Sequence, residues 1–257
     1  FCFDRMLEFM LAELHEKTIQ SDDDIVRLAA RANTFRNLQG TLSILLLRSC
    51  HAGETDRVVG ALDLCDPGED GAINPAQEVL ISSVCDLFEH LALSKDSVLD
   101  KILEQLPLDP STTDVHLLFK VFDRLFLIGE FESAAKIIDT SCREADIMER
   151  KQLTAEAFFR KARLIRQGGD WPGTLEILDK AESTIDREED IELFSQILLL
   201  KGETLTEAQR TKEAVALLKD AVKTAEASGS QRIHAETLIA LGVTHRIQKS
   251  FKTAEKI

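Results

Sequence analysis

A chain of 257 residues in which 44% are apolar and 30% are charged carries too many apolar side chains to be disordered. It has no tyrosine, one tryptophan and five prolines, and this scarcity of aromatic residues argues against a fold dominated by β-sheet. The net charge of −14 opposes binding to a phosphate backbone, because lysine and arginine supply the main favourable interaction there. We therefore expect an α-helical protein that does not bind nucleic acid directly, with an acidic surface that favours solubility or a basic partner.

The first part of the chain predicts three helix pairs of unequal length. A serine followed by three aspartates, Ser21 to Asp24, marks the start of the second helix and is suited to cap its exposed N–H groups. The predicted pairs are Phe1 to Glu16 with Asp23 to Phe35, Arg36 to Ser49 with Glu54 to Leu64, and Pro75 to Leu91 with Lys95 to Leu106. A proline loop, Pro107 to Pro110, follows the third pair, and we expect a domain boundary there, between residues 1–110 and 111–257.

The loop from Asp66 to Gln77 has a partial likeness to a calcium-binding EF-hand loop. Asp66, Asp70 and Gly71 occupy suitable positions, but the third position is Gly68, which has no side-chain oxygen. The twelfth position is Gln77, where a bidentate glutamate is required. We therefore expect an acidic turn and no bound metal.

From Phe119 to Ile257 one pattern recurs every 40 residues. A short turn is followed by a small residue, an aliphatic residue lies four positions further on, and a second small residue lies twelve positions before the first. The turns are Gly129-Glu130-Phe131, Gly169-Asp170-Trp171, Gln209-Arg210-Thr211 and Lys249-Ser250-Phe251. The small residues after the turns are Ala134, Thr174, Ala214 and Ala254, the aliphatic residues are Ile138, Leu178 and Leu218, and the earlier small residues are Ala162, Gly202 and Gly242. The earlier small residues are expected to let two helices approach closely.

At these residues the chain resembles the tetratricopeptide repeat (TPR) superfamily. The 40-residue unit resembles its long-repeat members, such as the kinesin light chain, LGN-type adaptors and MalT-type regulators. Two features depart from the usual repeat, since position 4 holds Leu118, Phe158, Leu198 and Leu238 instead of tryptophan, and position 32 carries no proline. The resemblance implies an all-α, right-handed TPR-like superhelical solenoid of about six to seven antiparallel helix pairs.

Within the regular array, residues 111–257, the pattern predicts a helix on each side of every turn. These helices are Thr112 to Ile128 with Phe131 to Ala145, Met148 to Gln167 with Trp171 to Ile185, and Glu188 to Ala208 with Thr211 to Ala227. Ser111 with Asp114 and Asp186 with Glu189 are predicted helix starts, and Gly229 is predicted to end a helix in the left-handed conformation. Because the chain has no initial methionine and ends within a predicted helix, we interpret it as part of a larger protein.

The resemblance also implies a binding groove on the first helix of each pair, at repeat positions 2, 5, 9 and 12. The candidate partner-binding residues are Phe119, Asp123, Phe126, Phe159, Arg163, Arg166, Leu199, Glu203 and Ile239. Their apolar members form a track, flanked by both charges, that fits a helix or peptide of a partner protein. The alternative is that these side chains pack between neighbouring helices. Arg163 and Arg166 would hold an acidic segment or, alternatively, lie on a solvated face.

No sequence motif indicates catalysis or a cofactor. The chain contains no phosphate-binding loop, no H-E-x-x-H and no G-x-S-x-G, and its six histidines are scattered. The carboxylate clamp of chaperone-binding TPR proteins needs lysine at position 5 and asparagine at position 9, and this chain has Phe119 with Asp123 and Phe159 with Arg163 there. We expect a protein that is not an enzyme and does not bind chaperone tails.

Five cysteines are spread along the chain, without a C-x-x-C pair that would hold zinc: Cys2, Cys50, Cys65, Cys85 and Cys142. Each lies in or beside an apolar helical segment, so we expect buried free thiols and a reducing compartment, the cytoplasm or the nucleus. The longest strongly apolar run, Leu42 to Leu47, is too short to span a membrane.

The sequence therefore predicts a protein-interaction scaffold or adaptor that binds a peptide or helix of a partner protein in its concave groove. Two alternatives stay open. The helices would be a regulatory segment that docks on other domains of its own chain, or the exposed end of the array would join copies into a homo-oligomer.

Overall fold

The computed structural model describes residues 2–19, 21–52, 54–65, 75–87 and 115–254. Within these ranges every regular element is an α-helix and there is no strand, which confirms the predicted all-α class. The helices are α1 (Cys2–Glu16), α2 (Asp22–Thr34), α3 (Arg36–His51), α4 (Thr55–Leu64), α5 (Pro75–Leu87), α6 (Val115–Ile128), α7 (Phe131–Ile147), α8 (Lys151–Gln167), α9 (Trp171–Thr184), α10 (Ile191–Glu207), α11 (Thr211–Ser228) and α12 (Gln231–Ala254).

The chain divides into two compact units, Phe1–Glu130 and Phe131–Ile257. Several predicted features fall outside the described residues and stay predictions: the boundary at residues 110 and 111, the helix from Lys95 to Leu106, the start signal at Ser111, and most of the acidic loop that begins at Asp66.

In the first unit, helix contacts reach beyond consecutive elements. Helix α1 packs on α3, while α2 packs on α3, α4 and α5, and α5 in turn packs on α6. The core is mainly aliphatic but includes the rings of Phe119 and Phe122, and its fully buried aliphatic side chains include Leu42, Leu62, Leu80 and Ile81. The predicted cap at the start of α2 is present, because the Ser21 hydroxyl accepts a hydrogen bond from the Asp24 N–H and the Asp24 carboxylate accepts one from the Ser21 N–H.

In the second unit the helices begin at the predicted 40-residue spacing. Helices α7, α9 and α11 begin at Phe131, Trp171 and Thr211, and helices α8, α10 and α12 begin at Lys151, Ile191 and Gln231. We call the first set the B helices and the second set the A helices. Each helix packs against the next one in the chain, and α10 also packs against both other A helices.

The turns between the two helices of each pair contain a residue in the left-handed conformation at equivalent repeat positions. Gly129, Gly169 and Gln209 have φ of 86°, 76° and 61°, and Gly229 has the predicted left-handed conformation after α11. At the first and third of these turns the next N–H closes the end of the helix, with Glu130 donating to the Leu125 carbonyl and Arg210 to the Leu205 carbonyl.

Two sequence predictions about helix ends are wrong. The predicted turn at Lys249-Ser250-Phe251 is absent, since α12 continues to Ala254. A left-handed lysine is costly, and continuing the helix through this position satisfies the backbone N–H and C=O groups. The predicted start at Asp186 is also too early, because its carboxylate accepts from Glu188 and Glu189 N–H in a separate turn, and Asp190 caps α10 at the Leu193 N–H.

The two glycines of the repeat pattern differ in their surroundings. A Cβ on Gly202 would lie 2.5 Å from the Leu218 side chain, so α10 and α11 approach closely there, as predicted. A Cβ on Gly242 would have nothing within 4 Å, so the close approach predicted at this glycine is not made. Within the described ranges, no helix has both the length and the apolar character needed to cross a lipid bilayer.

Candidate functional site

The predicted binding residues of the second unit all lie on its A helices. Phe159, Arg163 and Arg166 lie on α8, Leu199 and Glu203 on α10, and Ile239 on α12. Because α10 contacts both α8 and α12, these side chains belong to one row of neighbouring helices.

An ion cluster joins α8 to α10 on this row. The Arg166 guanidinium donates to a Glu203 carboxylate oxygen at 2.7 Å and, through Nε, to a Glu207 oxygen at 3.0 Å. Partial burial lowers the pKa of Arg166, but the hydrogen bond to Glu207 and the charge and hydrogen bond of Glu203 outweigh it, so the pKa is raised. The structure thus brings together two predicted residues, Arg166 and Glu203, with Glu207, which was not predicted. The positive charge of Arg166 is offset by these two carboxylates.

Phe159 and Arg163 flank this cluster on α8, and both side chains are half-buried. The Phe159 ring packs against a cluster of buried residues that includes Ala155, Leu178 and Ile197. Part of the ring is therefore a packing element, and the rest is accessible beside Arg163.

The apolar residues among the predicted binding residues of α10 and α12 differ in exposure. Leu199 is 9% exposed and packs with Leu218 and Ala240. Ile239, the residue at the same repeat position on α12, is 66% exposed. A hydrogen bond of 2.8 Å between the Thr206 and Thr244 hydroxyls also joins α10 to α12.

The remaining predicted residues lie on α6 of the first unit. Phe119 is 2% exposed and meets His116 edge-on, with ring centroids 6.4 Å apart. Phe126 is half-buried and stacks on Phe122 at 5.8 Å, and Asp123 is also half-buried. In this structure Phe119 lies in the core of its unit. It therefore packs between helices, which was the alternative to partner binding in the sequence analysis.

Other ion pairs across the helices of the second unit were not predicted. Lys161 on α8 binds Asp139 on α7 at 2.7 Å, and this hydrogen bond raises the pKa of Lys161. Lys201 on α10 binds Glu182 on α9 at 2.8 Å and also contacts Asp179. Burial lowers the pKa of Lys201, but these two carboxylates outweigh it and raise the pKa. Opposite charges about 20 residues apart on consecutive helices are the only sequence signal for such pairs.

A cavity in the first unit was also not predicted. It has a volume of about 210 Å³ and apolar walls that include Ile25, Leu42 and Leu46. Its rim carries two arginines, each paired with a glutamate: Arg48 with Glu16, and Arg57 with Glu54. Because each rim charge has an opposite partner, the rim offers no net charge to a ligand.

Among the cysteines whose side chains the structure describes, Cys65 and Cys85 are buried, Cys142 is half-buried, and none of the three forms a disulfide. Burial raises the pKa of the Cys65 and Cys142 thiols from 9.0 to about 11, and for Cys142 the charge of Lys161 counteracts part of that effect. Both thiols are therefore held in the protonated, less nucleophilic form at neutral pH.

At pH 8 we expect iodoacetamide to alkylate Cys65 and Cys142 about 100-fold more slowly in the native chain than in the denatured chain. A thiol pKa raised from 9.0 to about 11 lowers the thiolate fraction by that factor. The two rates are measured by peptide mass spectrometry in buffer and in guanidinium chloride.

The same shifts predict the pH dependence of stability. Because the thiol pKa is higher in the folded state, its contribution to stability is present below about pH 9 and is lost as the pH rises towards 11.

For the alkylation experiment, equal rates in the native and the denatured chain would contradict the buried, protonated state of the two thiols.

Among the described residues, no group of three or more histidine, cysteine, aspartate or glutamate side chains is arranged to hold a metal ion. No protein-family model matches the chain, and no curated protein matches it.

Proposed function

We propose that the chain is a non-catalytic interaction scaffold that binds a peptide or helix of a partner protein on the A-helix row of its second unit. The fold we propose behind this function is a TPR-like, right-handed superhelical solenoid of about six to seven helix pairs. The observation that carries the proposal is the 40-residue spacing of helix starts together with the contacts between successive A helices. A helix pair of this kind cannot bury its apolar face alone, and stacked pairs offer an extended surface for a partner.

The chemistry of the row supports a partner with one apolar anchor and polar neighbours of both signs. Phe159 presents part of its ring, and Arg163 and Glu203 place opposite charges on adjoining helices. A helix lying in such a groove gains affinity from the anchor and fixes its register through the charges.

The Arg166 cluster has a supporting role in this proposal. Its guanidinium is held by Glu203 and Glu207, so a partner carboxylate would have to compete with two carboxylates already in place. Arg166 thus fixes the position of Glu203 and the spacing of α8 and α10. The net charge of −14 favours basic residues in the partner, beyond the row itself. Free thiols are the basis on which we propose a cytoplasmic or nuclear location.

A paired affinity capture tests this function. The chain and its Phe159→Ala/Arg163→Glu variant are each used to capture proteins from a cell lysate, and the captured proteins are identified by mass spectrometry. We expect a protein that the unchanged chain retains and the variant loses. Because Phe159 also packs in the core, Arg163→Glu alone is included as a variant that leaves the Phe159 ring in place.

The control variant is Phe131→Ala/Lys219→Glu, which removes a phenylalanine ring and reverses a charge at exposed positions on the B helices. It should retain the captured protein. If no captured protein depends on Phe159 or Arg163, the interaction proposal fails for this row, and docking on other domains of a longer chain becomes the better account.

A further inference from the structure

The cavity of the first unit is lined by four consecutive helices and the turns between them. Its described lining residues run from Glu16, at the end of α1, to Arg57 in α4. The floor consists of aliphatic side chains that are at most 7% exposed: Ile25, Leu42, Leu45 and Leu46. A space with such walls favours an apolar group, because entry of that group removes apolar surface from water.

The volume of the cavity limits the size of a ligand. The cavity measures about 210 Å³, whereas an apolar cavity of about 150 Å³ in a protein core is large enough to bind benzene. Pockets for drug-sized ligands usually measure about 300–1,000 Å³. The floor therefore accommodates one ring or one short branched chain, and it is too small for a long acyl chain or a peptide segment.

The mouth of the cavity carries two pairs of opposite charges. The Arg48 guanidinium donates to the Glu16 carboxylate, and the Arg57 guanidinium donates to the Glu54 carboxylate at 2.8 Å. The arginine side chains are 29% and 31% exposed, and the glutamate side chains are 53% and 48% exposed. The guanidinium groups are therefore the more enclosed members of the two pairs, and the carboxylates lie further towards solvent.

Both arginines and both glutamates keep hydrogen-bonding capacity for a ligand. Each of the two hydrogen bonds uses one of the five N–H donors of an arginine and one of the two oxygens of a glutamate. Arg48 also lies over the Phe9 ring, 4.8 Å from its centroid, which holds this guanidinium in place. A ligand that carries a carboxylate and an ammonium group can therefore bond to all four side chains without breaking either pair.

The balance of charge at the mouth selects against a singly charged ligand. Two positive and two negative side chains cancel there, so a simple anion or a simple cation would bring a charge that the mouth does not compensate. The net charge of −14 on the chain further opposes an anion. A zwitterion keeps every charge paired.

We propose that the cavity binds a free α-amino acid with an apolar side chain. The side chain enters the aliphatic floor, the carboxylate accepts hydrogen bonds from Arg48 and Arg57, and the ammonium group donates to Glu16 and Glu54. This cavity belongs to the first unit and the A-helix row to the second, so failure of either proposal leaves the other standing.

The test is isothermal titration calorimetry of the full chain with L-phenylalanine, whose ring matches the size of the floor. We expect saturable binding with a Kd of about 1 mM or tighter, as the usual affinity per atom of a small ligand implies. Two matched ligands keep the phenyl group and lack one charge: 3-phenylpropanoate has no ammonium group, and phenethylamine has no carboxylate. Each should bind at least about tenfold more weakly than L-phenylalanine.

Three variants of the chain locate the site, after circular dichroism shows that each is folded. Ala52→Trp places a large ring at an exposed position of the mouth and should weaken binding of L-phenylalanine at least about tenfold. Arg57→Gln should weaken L-phenylalanine about tenfold and leave phenethylamine unchanged. The matched control is Arg27→Gln, because Arg27 also pairs with a carboxylate on its own helix, Asp23, but does not line the cavity. It should bind L-phenylalanine like the unchanged chain.

Three results would each overturn the proposal. The first is the absence of saturable binding of L-phenylalanine. The second is binding that Ala52→Trp leaves unchanged, which would place the bound amino acid elsewhere on the chain. The third is equally tight binding of 3-phenylpropanoate or phenethylamine, which would make the ligand a simple anion or cation.

Discussion

Replacing Leu218 by alanine should lower the free energy of unfolding of the second unit by about 2–5 kcal/mol, the usual cost of truncating a buried leucine to alanine. Leu218 has no exposed surface and packs with Leu199 of α10 and Ala240 of α12, besides lying against Gly202. Its loss leaves a cavity where three helices meet. Urea unfolding followed by the fluorescence of Trp171, the only tryptophan of the chain, reports on this unit.

The control for this prediction is Leu238→Ala, the same truncation at a position that is 48% exposed. Because little buried surface is lost there, Leu238→Ala should lower the free energy of unfolding by less than about 1 kcal/mol. Similar losses for the two variants would show that Leu218 does not hold α10, α11 and α12 together.

The second large effect is expected at a pair of equivalent glycines. Gly202→Leu should lower the free energy of unfolding by about 2–3 kcal/mol, since overpacking commonly costs about 1–3 kcal/mol and this site lacks room even for a first side-chain carbon. Gly242→Leu should raise it by about 0.5–1 kcal/mol, because leucine is the better helix former and the position is open.

Both glycine variants are measured by the same tryptophan-detected urea unfolding, so the chemistry of the substitution is constant and only the surroundings differ. Opposite signs are the expected result. If the two substitutions had equal effects, the close contact between α10 and α11 at Gly202 would not be what distinguishes the two repeats.

Local rules were enough to predict most helix positions in the second unit. The turn glycines Gly129, Gly169 and Gly229 adopt the left-handed conformation that ends a helix, and small and aliphatic residues recur at spacings that only stacked helices would need. The same rules failed at Lys249, where the sequence resembles the other turns but α12 continues as a helix to Ala254. A position within the repeat is therefore not by itself sufficient to predict a turn.

The candidate site was less predictable than the fold. Repeat position placed Arg166 and Glu203 on adjoining helices, but which carboxylates Arg166 binds depends on the rotation and separation of α8 and α10. Leu199 and Ile239 hold the same repeat position, yet Leu199 is buried beside Leu218 of α11 and Ile239 is exposed. Exposure depends on neighbours, which a position within a repeat does not specify.

In the first unit the contacts between α2 and α5 join segments distant in sequence. Amphipathic spacing predicted these helices individually, and the Ser21 cap fixed the start of α2. The local sequence does not indicate which helices pack against each other. The leucine-rich faces are chemically similar, so the pairing of helices is decided only by how the complete core packs.

The affinity of the captured partner for the A-helix row tests the proposed function most directly. Isothermal titration with the unchanged chain, Arg163→Glu, Phe159→Ala/Arg163→Glu and the exposed control Phe131→Ala/Lys219→Glu would be compared, after circular dichroism shows that each is folded. We predict affinity losses of about tenfold for the single variant and about 100-fold for the double, equivalent to about 1.4 and 2.7 kcal/mol, with no change for the control. Equal affinity of all four proteins would contradict binding at this row.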